Sequence, residues 1–163
     1  VYVTDTGNKR VVVFDQDLNY ISQFGGGGFE AGQFDEPVGI EVDKSGLIYV
    51  ADTWNRRVQV FSTNDDITDF TQIREFDVEA WFGQSIDNKP YIAVDQGGNI
   101  FISDPELERI LEFSQDGTFI QGWQDFSISS ELESHPYGLG FDEDGDLWVS
   151  DGQSDVIMRF SIE

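Results

Sequence analysis

Short apolar runs recur along the chain, and four of them, VYVT, IYVA, IFIS and LWVS, are followed directly by an aspartate. A phenylalanine follows each aspartate nine residues later, in the pairs Asp5 and Phe14, Asp52 and Phe61, Asp104 and Phe113, and Asp151 and Phe160. The aspartates lie 47, 52 and 47 residues apart. A regular spacing of this kind indicates a chain built from repeated structural units.

The second repeat shows the whole pattern of one unit. Its apolar runs begin after Pro37, after Gly46, after a polar turn at residues 52–56, and at Ile73. Short alternating runs bounded by glycine, proline and polar residues are typical of β-strands. Each complete unit is therefore predicted to contain four short strands.

The four units are predicted at about residues 1–25, 34–76, 89–123 and 135–163. The first starts in its second strand at Val1 and the last ends in its third strand near Phe160, which predicts groups of three, four, four and three strands. Four antiparallel strands in about 40 to 50 residues are typical of a β-propeller blade. We predict an all-β fold, a β-propeller segment of about four four-stranded antiparallel blades, of which the first and last are incomplete.

A family resemblance rests on the second and first repeats. Residues 39–61, with the sequence GIEVDKSGLIYVADTWNRRVQVF, and residues 5–14, with the sequence DTGNKRVVVF, resemble NHL repeats. The third repeat departs from the pattern with Pro105-Glu106-Leu107-Glu108-Arg109, and the fourth has Val156 where the others have arginine. The resemblance spans essentially the whole chain and implies a six-bladed propeller as the larger structure.

The incomplete terminal units have two interpretations. The chain is expected to be a piece of a larger propeller, because its first and last units do not complement each other. The alternative is an array of four units completed by self-association, since exposed blade faces and edges invite pairing.

The formal net charge is -23, from 32 acidic and nine basic residues. Nucleic-acid phosphates and anionic lipids bind to clustered lysine and arginine, whereas a negative field repels them. We therefore expect neither nucleic acid nor an anionic membrane surface as a partner. The chain also has no cysteine and therefore no disulfide framework. Together with its low lysine content, this composition suits an extracellular or cell-surface prokaryotic module, which is the location that we expect.

Loops at one end of a closed β architecture are the usual place for ligands. Aromatic rings there can stack on sugar faces while nearby carboxylates and amides bind hydroxyl groups. The candidate ligand-binding residues are Phe29, Asp35, Trp54, Asn55, Arg56, Trp81 and Gln84.

Burial between blades is the competing explanation for these aromatic residues, and we expect it for Phe34 and Phe82. Trp54 is the exception, because the other units have Gly7, Glu106 and Gln153 at its turn position. Packing is therefore not expected to require a large ring there.

Three of the repeated aspartates have an arginine five residues later, in the pairs Asp5 and Arg10, Asp52 and Arg57, and Asp104 and Arg109. Because this spacing recurs in each unit, we predict that the pairs tie their turns together or bridge adjacent blades through bidentate hydrogen bonds. Asp151 lacks the arginine and is expected to be freer, or to lie at an irregular end of the array.

Metal and catalytic sites find little support in the residues. The acidic run at residues 142–146 lacks the glycine and glutamate spacing of a calcium-binding loop and aligns with the turns of other repeats, which leaves calcium as a minor alternative. His135 is the one histidine in the sequence, so the chain cannot supply the several histidines of a multi-histidine zinc site. We predict no cofactor.

These observations favour a non-catalytic binding or scaffolding module that presents one loop face to a protein or a glycan. Two alternatives remain open. The chain could be a structural subunit whose incomplete blades pair between chains into an oligomer or filament, or part of a hydrolase or lyase whose catalytic residues lie elsewhere.

Overall fold

A computed structural model describes residues 1–83, 89–124 and 135–162. The regular structure in these ranges is β-strand apart from three short 3₁₀ turns, and none of the described helical turns could cross a membrane. The chain divides into two compact units, Val1–Phe82 and Gly83–Glu163.

The first unit contains two antiparallel sheets, which we name blades 1 and 2. Blade 1 has the order β1-β2-β3, with strands β1 (Tyr2–Asp5), β2 (Arg10–Phe14) and β3 (Tyr20–Gly25). Blade 2 has the order β4-β5-β6-β7, with strands β4 (Pro37–Val42), β5 (Ile48–Asp52), β6 (Arg57–Thr63) and β7 (Phe70–Asp77).

The second unit also contains two antiparallel sheets, blades 3 and 4. Blade 3 has the order β8-β9-β10-β11, with strands β8 (Ile92–Val94), β9 (Ile100–Asp104), β10 (Arg109–Phe113) and β11 (Phe119–Gln124). Blade 4 has the order β12-β13-β14, with strands β12 (Pro136–Phe141), β13 (Asp146–Asp151) and β14 (Val156–Ser161).

The predicted fold class is confirmed. Within the described residues the sheets contain three, four, four and three strands, and each sheet is a meander in which consecutive strands pair. Asp5, Asp52, Asp104 and Asp151 each end the strand that pairs with the strand carrying the repeated phenylalanine. The periodicity of the sequence therefore corresponds to the strand order of each blade.

Each unit buries apolar side chains between its two blades. In the first unit the core contains Val11, Phe34, Ile48, Val50 and Phe61. Phe24 packs against this core, and its ring lies 4.2 Å from that of Phe70 and 4.9 Å from that of Phe61. Apolar burial is the main favourable contribution to folding, so this shared core stabilises the packing of blade 1 against blade 2.

The second unit has an equivalent core. Its buried members are Phe101, Ile110, Leu147 and Val149. The ring of Phe101 lies 5.0 Å from that of Phe141 and 5.4 Å from that of Trp123. Aromatic packing between neighbouring blades therefore occurs in both units.

The acidic run at residues 142–146 forms the hairpin turn between β12 and β13. Asp142 accepts hydrogen bonds from the backbone amides of Asp144 and Asp146, and from the indole nitrogen of Trp148 at 2.8 Å. These bonds, that of Trp148 above all, lower the pKa of the Asp142 carboxyl group. The carboxylates of this run also lie beside the guanidinium group of Arg159. The run is therefore occupied by bonds within the turn and with β14.

Candidate functional site

The candidate site lies at the end of blade 2 where both of its connections meet. Pro37, the first residue of β4, pairs with Asp52, and Asp77, the last residue of β7, pairs with Arg57. The chain therefore enters and leaves the blade beside the turn that joins β5 to β6. We name residues 53–56 the central turn, residues 26–36 the first linker and residues 78–83 the second linker.

The central turn is a 3₁₀ turn, Thr53–Asn55, followed by Arg56 in the left-handed conformation with φ of 53°. Lys9, Glu108 and Asp155 have φ of 56°, 52° and 54° at the same position of the other repeats. Residues other than glycine adopt this conformation infrequently. The backbone conformation of the turn is therefore shared by the four repeats.

Asp52 and Arg57 form the buried ion pair of blade 2. They are cross-strand neighbours, their carboxylate and guanidinium groups lie 2.8 Å apart, and their side chains are 0% and 9% exposed. The equivalent Asp5 and Arg10 are also 2.8 Å apart, but 28% and 37% exposed. The Asp104 and Arg109 pair, at 2.7 Å, has a buried carboxylate. The structure thus places all three predicted pairs inside their own blades.

The buried pair also holds the first linker. Asp52 accepts a 2.6 Å hydrogen bond from the amide of Asp35, and Arg57 donates to the carbonyls of Glu30 and Gln33 at 3.0 Å each. Gln59 donates to the carbonyl of Gln33 at 2.7 Å and to Asp52 at 3.1 Å. A polar network of blade 2 therefore fixes the backbone of the linker.

Asn55 adds a further bond to this network. Its side-chain amide donates both to Asp52 and to the carbonyl of Gly28, each at 2.9 Å. In blade 1 the equivalent Asn8 donates to Asp5, and both of its bonds go to that carboxylate. The bond to a linker carbonyl therefore distinguishes Asn55 from its counterpart.

Two of the repeated aspartates have perturbed pKa values of opposite sign. Hydrogen bonds from Asn8 and then Arg10 lower the pKa of Asp5. Burial raises the pKa of Asp104, against the opposing hydrogen bond and charge of Arg109.

Asp151 differs from the sequence expectation that its carboxylate is freer. It is 4% exposed and accepts hydrogen bonds from the backbone amides of His135, Gln153 and Ser154. Backbone donors thus stand where the other repeats have arginine. The sequence could not show this, because the donors belong to the main chain.

The aromatic residues of the linkers do not all lie where the sequence suggested. Phe29 in the first linker is 73% exposed, and Phe34 is fully buried as expected. Trp81 is only 1% exposed, so its ring cannot stack on a ligand from solvent and the expectation for it is corrected. Phe82, which was expected to be buried, is 53% exposed and lies 5.4 Å from the guanidinium carbon of Arg56.

The predicted polar candidates are mostly engaged within the fold. Asp35 forms an ion pair of 2.7 Å with Lys9. Asn55 donates its side-chain amide hydrogens to Asp52 and to the carbonyl of Gly28, and Gln84 lies outside the described residues. Among the described residues no group of three or more histidine, cysteine or acidic side chains is arranged as a metal site.

Trp54 is half-buried in the central turn. Its backbone amide donates to the carbonyl of Asp35, and its indole nitrogen is buried with no hydrogen-bond partner in the described part of the chain. A buried donor without a partner costs about 1 to 3 kcal/mol. Trp54 therefore carries a polar group that the described residues leave unsatisfied.

Replacing Trp54 with phenylalanine is expected to leave the free energy of unfolding unchanged or to raise it by up to about 1 kcal/mol, because the unsatisfied donor is removed. Trp148→Phe is the matched control, since the Trp148 indole donates to Asp142. That change should lower stability by about 1 kcal/mol. Urea unfolding of both variants measures the difference, and a clear loss in Trp54→Phe would show that the larger ring is required for packing.

Comparisons with known proteins agree with this geometry. The NHL repeat family matches residues 34–61, which contain β4, β5, the central turn and most of β6. A protein from Lactobacillus plantarum superposes with a TM-score of 0.73 at 15% identity, over 99% of this chain and 50% of that chain.

Two lyases also share the fold. A streptogramin B lyase superposes with a TM-score of 0.67 at 16% identity, over 99% of this chain and 47% of that chain. The virginiamycin B lyase from Staphylococcus aureus superposes with a TM-score of 0.61 at 15% identity, over 99% of this chain and 51% of that chain. The chain thus spans about half the length of these structures, and identities this low show the fold alone.

The fold, the strand order and these superpositions define a β-propeller segment. Within this segment, residues 34–61 match the NHL repeat family.

Proposed function

We propose that this segment is a non-catalytic binding or scaffolding module that presents the loop face of blade 2 to a protein or glycan ligand. The observation that carries the proposal is the exposure of Phe29 and Phe82 on the two linkers that meet at the central turn. Hydrogen bonds fix the backbone of the first linker, and the amide of Val78 donates to the carbonyl of Arg56 at 2.8 Å in the second. Exposed aromatic rings on a fixed backbone are suited to ligand contact.

Phe82 contributes more than apolar area to this surface. The Arg56 guanidinium lies against its ring at a distance typical of cation–π interactions. Arg56 is itself exposed, so a ligand that covers the ring also meets a positive charge. In a chain with a net charge of -23, this is a local exception to the acidic surface.

The test is a binding screen with neutral oligosaccharides and with random linear peptides, followed by titration calorimetry of each hit. Phe82→Ala is expected to weaken binding at least about tenfold without changing the unfolding midpoint, because an exposed ring contributes little to stability. Phe119→Ala, a similarly exposed ring on β11, is the control and should bind like the parent protein. Hits that bind both variants equally well would contradict the proposal.

A structural subunit is the second candidate. Within the described residues β14 pairs with β13 alone, and Ile157 and Trp148 are exposed in these two strands. An unpaired strand edge is a template for pairing with another chain. Sedimentation velocity on the same samples distinguishes the candidates, since a stable oligomer without any screened ligand would favour the structural subunit.

The enzymatic alternative has less support. His135 donates its backbone amide to Asp151, and its ring nitrogen Nδ1 lies 3.3 Å from the carbonyl oxygen of Pro105. The described residues therefore use His135 for contacts within the second unit. We accordingly propose that this segment does not itself catalyse a reaction.

A further inference from the structure

We propose that Phe29 is a pre-organised anchor for a protein partner with an apolar pocket rimmed by lysine and arginine side chains. The inference rests on the proposed binding function and names its partner class. It follows from an unusual juxtaposition, in which a strongly exposed aromatic ring lies between two carbonyl groups that the side chains of Asn55 and Arg57 hold in place.

Two hydrogen bonds, which together we name the clamp, hold the peptide carbonyls on either side of Phe29. Asn55 donates to the carbonyl of Gly28, and Arg57 donates to the carbonyl of Glu30. Both donors are also tied to Asp52, which is fully buried. The two peptide carbonyls flanking the exposed ring are thus fixed by one buried carboxylate network.

The loop also closes on itself behind the ring. The amide of Gly28 donates to the carbonyl of Phe34 at 3.0 Å, and the amide of Gln33 donates to the carbonyl of Glu30 at 3.0 Å. The side chain of Gln59 accepts a bond from the amide of Gly32 at 2.9 Å. These bonds fix the loop before a partner arrives, so binding does not have to order it.

A protein partner fits this surface better than a glycan. Sugar recognition usually needs several hydrogen-bonding groups beside the ring, but two of the predicted ones are engaged, since Asn55 uses both amide hydrogens within the fold and Asp35 is paired with Lys9. What remains at the loop tip is the Phe29 ring beside the exposed carboxylate residue Glu30. An aromatic side chain that enters an apolar pocket is a common energetic centre of protein interfaces.

The negative charge of the chain favours lysine and arginine side chains around the partner's pocket. Glu30 lies next to the anchor, and the whole chain carries a net charge of -23. A partner with lysine and arginine around its pocket would be attracted to this surface, whereas an acidic partner would be repelled. Association should therefore weaken as salt is added, because screening reduces the attraction.

The experiment selects a phage-displayed library of random linear peptides on the full chain and measures the enriched peptides by titration calorimetry. We expect enriched peptides that combine lysine or arginine with apolar residues and that bind less tightly at high salt. Phe29→Ala should weaken their binding at least about 30-fold, and Phe29→Trp should restore most of it.

The clamp is tested through Asn55, which we regard as a positioning residue. Asn55→Ala should weaken peptide binding about three- to tenfold and lower the NMR order parameter of the Phe29 amide. Asn8→Ala is the matched control, because it removes the equivalent bonds in blade 1 without touching the loop. A Phe29 amide that stays rigid in Asn55→Ala, or binding unchanged by that variant, would overturn the clamp.

The outcomes separate the inference from the proposed function. Peptides that depend on Phe82 and not on Phe29, oligosaccharides whose binding depends on Phe29, or enriched peptides that are acidic would overturn the inference and leave the binding module standing. Failure of all peptides and oligosaccharides to bind would contradict both.

Discussion

Replacing Arg57 with methionine is expected to lower the free energy of unfolding by about 3 to 5 kcal/mol, because the change leaves a buried carboxylate without its charged partner. Asp52 is fully buried, and Arg57 supplies the counter-charge at 2.8 Å. Methionine keeps much of the apolar stem, so the loss reports mainly on the guanidinium group. The same change removes one donor from each of the carbonyls of Glu30 and Gln33, which keep their bonds from the Gln33 amide and the Gln59 side chain.

Arg10→Met is the matched control. Arg10 and Asp5 form the equivalent pair in blade 1 with the same separation, but both side chains are partly exposed. Water and salt screen such a pair, so its removal should lower the free energy of unfolding much less than Arg57→Met does. Equilibrium urea unfolding of both variants tests the contrast, and equal losses would contradict the assignment of the larger effect to burial.

A double variant refines the measurement. Asp52→Asn together with Arg57→Met removes both charges and keeps an acceptor for the amide of Asp35. It should regain part of the stability lost in Arg57→Met, since the cost of an uncompensated buried charge disappears. If the double variant is less stable than Arg57→Met, the hydrogen bonds of the Asp52 carboxylate contribute more to stability than its unpaired charge costs.

The sequence predicted the blades well because alternation and turn residues are local signals. The aspartates that end the second strand of each repeat, and prolines such as Pro37 that begin the first, mark strand boundaries that the structure reproduces. The hydrogen-bonding register of an antiparallel meander then follows from short turns. Fold class and strand order were therefore accessible without the structure.

The linkers were less predictable because tertiary contacts decide their conformation. Trp81 has φ of 60° and is buried, whereas the adjacent Phe82 is exposed, and no local pattern distinguishes the two rings. The bonds from Asn55 and Arg57 to linker carbonyls involve residues 27 positions apart in the chain. Main-chain acceptors leave no trace in the sequence, so the clamp around Phe29 could only be found in the structure.

Replacing Phe34 with alanine is expected to cost about 3 to 5 kcal/mol, the usual loss for a large aromatic side chain in a core. Phe34 is fully buried against Phe24 and Phe61, with ring centroids 6.2 and 5.8 Å away. Its ring also lies where a Cβ atom at Gly25 would stand, and Gly25 has φ of 100°. The ring and the glycine thus join the first linker to the core.

Phe29→Ala in the same linker is the control for this change. Because Phe29 is largely exposed, its loss should change the free energy of unfolding by less than about 0.5 kcal/mol. Phe34→Ala should also speed hydrogen exchange at the amides of Gly28 and Gln33, whose bonds close the loop, while Phe29→Ala should not. Equal stability of the two variants would mean that the linker is not held by the core. A large loss in Phe34→Ala and none in Phe29→Ala would show that Phe34 fixes the loop and leaves Phe29 free to contact a partner.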